Sequence, residues 1–125
     1  MDAKNISKEL KQKYPGKTII FNPSENPSEI LCEIDPSSQH PEHSIAMAVI
    51  DQSRPHYHKK STELYEVLQG NFVLTVNGKD YRLRPGEQMT IAPNQIHWAK
   101  GNGTWVKVTS RPGWTFQDHI LVDEN

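Results

Sequence analysis

Phe72-Val-Leu-Thr-Val76-Asn77-Gly78-Lys79-Asp-Tyr-Arg-Leu83 reads as a β-hairpin. Both central residues, Asn77 and Gly78, tolerate the positive φ of a two-residue turn whose twist matches its strands. Phe72, Leu74 and Val76 alternate onto one face, which assigns them to a core. Runs of the same kind lie on either side: Ser44–Asp51, Leu64–Gln69, Gln88–Ala92 and Trp105–Thr109, with the hairpin's first arm opening at Asn71. Gly70 and Pro85-Gly86 punctuate the flanks. Many short strands at close spacing predict an all-β sandwich or a small β-barrel. No interior stretch has the length and period of a helical bundle, and the nine prolines disfavour long helices.

Upstream, residues 5–14 predict one short N-terminal helix, with Asn5 as cap, Ile6 and Leu10 on one face, and Pro15-Gly16 ending it. Segments 22–29 and 35–44 read as polar, proline-punctuated loops, and His40 and His43 in the second are expected to be solvated. A length of 125 residues fits one core. The expectation is a single domain over 1–125: an extension over 1–43, a barrel over about 44–110, and a C-terminal strand over 111–125. The segment Arg111-Pro-Gly-Trp114 either covers one barrel mouth or packs under the N-terminal strand.

The charges nearly cancel, with 14 basic and 15 acidic residues and no basic stripe, which gives no basis for a nucleic-acid partner. The longest apolar stretch, Ile45–Ile50, is far short of the ~20 residues of a membrane helix. The first residues carry no apolar run of a signal peptide, so the expected location is cytoplasmic. The lone Cys32 is expected to be a buried, inert thiol.

Three of the six histidines fall where strands are predicted. His56 and His58 are two apart and project from the same face of an extended chain. Lys59-Lys-Ser-Thr62 supplies a turn, and antiparallel return would bring Glu63 beside the pair. His97 arrives from a later strand after Pro93-Asn94. Two imidazoles and a carboxylate suit a first-row divalent metal, and a fourth ligand still leaves positions open in a five- or six-coordinate ion.

The stretch His56-Tyr-His58-Lys-Lys-Ser-Thr-Glu63-Leu-Tyr-Glu-Val-Leu-Gln-Gly70 resembles the first motif of the cupin superfamily. There, His-x-His is followed by three or four residues, Glu, six residues and Gly. Gly86-Glu-Gln-Met-Thr-Ile-Ala92-Pro93-Asn94-Gln95-Ile96-His97 resembles the second motif. It departs from it at Ala92, where proline is usual, and at Asn94, where glycine is usual. Asn suits such a turn because it tolerates left-handed φ. Two further departures are Ile50 in place of a glycine and Gly101 in place of an asparagine. The resemblance implies a double-stranded β-helix, a jelly-roll-like cupin barrel, with His56, His58, Glu63 and His97 as ligands of one divalent transition metal. Zinc, manganese, iron, nickel and cobalt all stay open.

Tyr65 shares strand parity with Glu63 and is a candidate general acid or base, its phenol pKa lowered by a nearby cation, or else a pocket-wall hydrogen-bond donor. Arg54 shares parity with His56 and is a candidate for binding a substrate carboxylate or phosphate, or else a solvated strand end. The leading functional reading is an enzyme using the metal as a Lewis acid on a small oxygenated, sugar-like or carboxylate-bearing substrate, of isomerase, epimerase or lyase type. Alternatives are an Fe(II)-dependent dioxygenase and a non-catalytic metal- or ligand-binding module. The expected partners are that small molecule and, from the resemblance and the need to cover exposed edges, a second copy in a homodimer pairing Thr18–Phe21 or Glu29–Ile34.

Overall fold

Ten strands follow one short helix in the computed structural model, which describes residues 1–122. The helix α1 spans Ala3–Lys13. The strands are β1 (Thr18–Asn22), β2 (Glu29–Asp35), β3 (Ser44–Gln52), β4 (His56–Tyr57), β5 (Thr62–Gln69), β6 (Phe72–Val76), β7 (Lys79–Leu83), β8 (Gln88–Ile91), β9 (His97–Arg111) and β10 (Ile120–Leu121). The path β1-β2-β3-β9-β4-β10 is antiparallel, and β5 and β6 also lie against β9. The C-terminal part of β9 runs between β3 and β5, while its N-terminal part pairs with β6 and meets β4 at His97. One long strand therefore curls the sheet into the expected all-β barrel. Of the C-terminal strand expected over 111–125, only β10 forms, and 123–125 lie outside the described residues.

The hairpin forms in the expected register, Phe72 opposite Leu83 and Val76 opposite Lys79, with φ of 49° at Asn77 and 82° at Gly78. The run Trp105–Thr109 proves to be only the end of β9, because the glycines before it make a bulge rather than a turn. The ladder with β3 shifts register between Ile50 and Gln52, and Gly103 N–H donates to Asp51 Oδ1 at 2.7 Å. A Cβ on Gly101 would lie 2.8 Å from the Ile50 carbonyl oxygen, so the backbones can close up only at a glycine.

Alternation along β3 divides the apolar residues between two clusters. Ala48 and Ile50 point into the barrel with Tyr65, Val67, Phe72, Leu74, Val76, Ile91 and Val106. Met47 and Val49 point outward, where with Ile30, Cys32 and Trp105 they are covered by Leu10 and Ile6 of α1. The helix starts earlier than its sequence suggests: Asp2, not Asn5, is the cap, and its carboxylate accepts from Asn5 N at 3.2 Å. No described helix is long and apolar enough to cross a membrane. The edge expected at Glu29–Ile34 is not an edge. β2 is paired on both sides, and β1 is the terminal strand.

Candidate metal centre

His56 sits opposite His97 on neighbouring strands, and Glu63 on β5 lies opposite Ser110 on β9. His58 follows β4 with the parity of His56, and all four side chains are buried. Each imidazole is oriented by a backbone carbonyl accepting from its Nδ1: Arg54 for His56 (2.7 Å), Asp118 for His58 (2.7 Å) and Gln95 for His97 (2.8 Å). That fixes the proton on Nδ1 and leaves Nε2 to face the site. His58 Nε2 lies 2.9 Å and His97 Nε2 3.0 Å from the same oxygen, Glu63 Oε1. The other carboxylate oxygen accepts from Ser110 Oγ at 3.3 Å.

One potential ligand atom from each of the four residues lies within 4.8 Å of the other three. Neutral imidazoles tied up at Nδ1 present only lone pairs here, against a carboxylate that also presents only lone pairs. His58 Nε2 is buried and makes no hydrogen bond despite its short approach to Glu63. Such a convergence of acceptors is balanced by protons or by a cation, and the donor set fits a divalent transition ion.

Burial and charge act together on several groups around it. Burial alone would raise the Glu63 carboxyl, but His58 and His97 hold it well below the usual carboxylate range. Burial, with His97 and His119 beside it, pushes His56 down to about 3. At His58 burial opposes the charged form, and the Glu63 carboxylate outweighs it and raises the pKa. Burial first, then Glu63 and Glu29, pushes the Tyr65 phenol well above its ordinary value. These neighbours by themselves keep the proton on the phenol, opposing the lowering that a bound cation would cause.

A cavity of about 540 Å³ opens onto the cluster, and Glu29, His56, Glu63, Tyr65, Ser110 and His119 are among its walls. His119 stacks on His56 with centroids 4.2 Å apart, and its Nδ1 accepts from Trp114 Nε1 at 3.2 Å. Trp114 lines the same cavity, and Gly113 before it packs against Ser37 and His43 of the loop between β2 and β3. Arg54, expected to meet a substrate anion, is exposed and does not line the cavity. Its parity with His56 fails because β4 starts only at His56.

Two supports escaped the sequence reading. β4 and β5 do not pair with each other, so no simple hairpin carries Glu63 to the histidines. Instead the Asp118 carboxylate accepts from the amides of Lys59 (2.8 Å), Lys60 (3.2 Å) and Ser61 (3.1 Å), shaping the turn between them. Asn94, at φ of 69°, donates its amide to the His58 carbonyl at 2.7 Å, joining the two motif segments. No spacing signal marks Asp118, because its partners lie nearly sixty positions away in the chain.

The Cupin domain family matches residues 30–110, more than half of the chain. The chain belongs to the Cupin domain family. Solved structures similar to this cupin include a variant of Streptomyces PAC13 with uridine, at TM-score 0.76 and 15% identity, with 88% of each chain covered. Pac13 is described as a nucleoside dehydratase. KdgF from a Halomonas species aligns at TM-score 0.63 and 20% identity, covering 71% of this chain and 84% of its own. An oxalate oxidase aligns at 0.60 and 20% identity, covering 70% of this chain and 53% of its own. At these identities the likeness is one of fold. Among curated proteins, none matches the chain.

Proposed function

We propose that this cupin is an enzyme that holds one divalent transition metal on His56, His58, Glu63 and His97 and acts on a small oxygenated substrate. The supporting observation is the convergence of buried imidazole nitrogens on Glu63, each ring fixed by a backbone carbonyl, at the wall of a cavity of about 540 Å³. That volume suits a sugar-like or carboxylate-bearing ligand. A bound ion supplies Lewis acidity toward a carbonyl or hydroxyl oxygen, which favours isomerase, epimerase or lyase chemistry.

The chain's own groups divide the remaining work. The imidazoles and Glu63 are each oriented by a hydrogen bond from outside the cluster, which favours a site set up before a substrate enters. Tyr65, in the cavity wall beside Glu63, serves toward a substrate oxygen as a general acid or base or as an orienting hydrogen-bond donor. Trp114 and His119 form the wall beside His56 and exclude water from that side. Oxygen activation at Fe(II) is a second reading, supported by the same set of three imidazoles and one carboxylate. We also propose a homodimer, with the outer edge of β1 as the pairing strand.

Elemental analysis tests the metal. Full-length protein, free of tags and purified without added metal, is expected to retain one tightly held transition ion per chain. Glu63→Gln and His58→Ala are expected to lose it. Wild-type protein from metal-replete cells that carries no ion would overturn the reading. Oxygen uptake with iron loaded would move it to the second reading.

A further inference from the structure

The loop between β2 and β3 turns two imidazoles onto one carboxylate, away from the buried quartet. We propose that Asp35, His40 and His43 form a second, solvent-accessible binding site for a divalent transition metal, at the rim of the cavity. His40 Nε2 lies 2.5 Å from Asp35 Oδ1, and His43 Nε2 lies 3.2 Å from Asp35 Oδ2. One potential ligand atom from each of the three residues lies within 4.8 Å of the others. The side chains are 25%, 28% and 32% exposed for His40, His43 and Asp35, so they are open to ions from solvent yet held against the protein.

At His40 the orientation repeats that of the buried centre. His40 Nδ1–H donates to the His43 carbonyl at 2.8 Å, which frees Nε2 to face the carboxylate. The two rings stack at 4.1 Å with only 15° between their planes. Two imidazolium charges at that separation repel, and each ring that gives up its Nε2 proton offers a lone pair beside the carboxylate. A divalent ion satisfies both nitrogens and the carboxylate together. Glu42 Oε1 lies 4.0 Å from His40 Nδ1 and 3.9 Å from His43 Nδ1, adding negative charge nearby.

The loop is built into the fold rather than left loose. Gly113 N–H donates to the Pro41 carbonyl at 2.9 Å, Ser37 Oγ to the Trp114 carbonyl at 2.7 Å, and Trp114 N–H to Ser44 Oγ at 2.8 Å. A Cβ on Gly113 would lie 2.5 Å from Ser37 Cβ and 3.0 Å from the His43 carbonyl oxygen, so the two segments are in close contact. Asp35 also lines the cavity, which places the cluster at the rim. Two imidazoles and a carboxylate, with positions left for water, suit zinc, nickel or copper.

Zinc titration of the chelator-stripped, tag-free full chain tests this, with calorimetry giving the stoichiometry. His43→Gln and His40→Gln are each expected to bind one equivalent fewer than wild type, with unchanged circular dichroism. Asp35→Asn, which keeps the shape of the loop residue, is expected to give the same loss. Glu63→Gln is expected to retain the loop equivalent, so failure of the buried centre and failure of this site give different patterns. The proposal is overturned if the loop variants bind as much zinc as wild type, or if Glu63→Gln alone abolishes all binding.

Discussion

The backbone carbonyl of Asp118 accepts from His58 Nδ1 at 2.7 Å, while the carboxylate of the same residue gathers the amides of Lys59, Lys60 and Ser61. One residue thus orients a proposed ligand and shapes the turn that leads to Glu63. Burial would raise the Asp118 carboxyl, but those amides hold it below its usual range, so it stays ionised at neutral pH. Asp118→Asn keeps the backbone contact and weakens the hold on the turn. Urea unfolding is expected to show a loss of about 2–3 kcal/mol. Zinc competition is expected to show ~10–100-fold weaker binding at the buried centre. Unchanged values for both would mean that Asp118 does not organise the turn.

The fold was legible because the hairpin and the spacing of the short runs are local signals, carried by Asn77, Gly78 and alternating apolar residues. The candidate quartet was legible for a similar reason: His56, His58 and Glu63 are near neighbours in sequence, and the motif resemblance supplied His97. Parity failed where no strand existed to carry it, as at Arg54. It also could not show that β9 begins at His97, since Gly101 and Gly103 act there through close approach to Ile50 and Asp51. His40 and His43, read as solvated, instead converge on Asp35 because the loop is tied to Gly113 and Trp114, some seventy positions away.

Gly101 also explains two departures from the family pattern at once. Ile50 stands in place of a glycine and Gly101 in place of an asparagine, and the two meet across β3 and β9. A side chain at 101 would press within 2.6 Å of Thr104 Oγ1 as well as on the Ile50 carbonyl. Gly101→Ala is therefore expected to destabilise the barrel by about 1–3 kcal/mol, the usual range for overpacking. A thermal melt that matches wild type would show that the bulge relaxes freely.

Cys32 is completely buried between the sheet and α1, and burial first, offset in part by Lys17, raises its thiol pKa. The thiolate is the reactive form, so the native protein is expected to resist alkylation by iodoacetamide at neutral pH. Labelling is expected to follow the unfolding curve in urea, because the helix must leave the sheet before reagent reaches the sulfur. Rapid labelling without denaturant would place the thiol outside that cluster.

Glu29 gives the pH dependence its sign. Burial, outweighing the hydrogen bond that Asn22 Nδ2 donates at 3.3 Å, pushes its carboxyl from 4.5 up to about 7, with the charge on Glu63 adding to the rise. Between those values the folded chain binds a proton that the unfolded chain releases, so this group lowers stability as pH rises. Below the unfolded value both states are protonated and the penalty vanishes. Above the folded value it is constant, at about 3 kcal/mol at most. Metal-free Glu29→Gln is therefore expected to be more stable than wild type at pH above about 7 and to converge with it near pH 4. Urea unfolding across that range measures the difference, and a gap that stays constant with pH would show that Glu29 ionises as freely as it does in the unfolded chain.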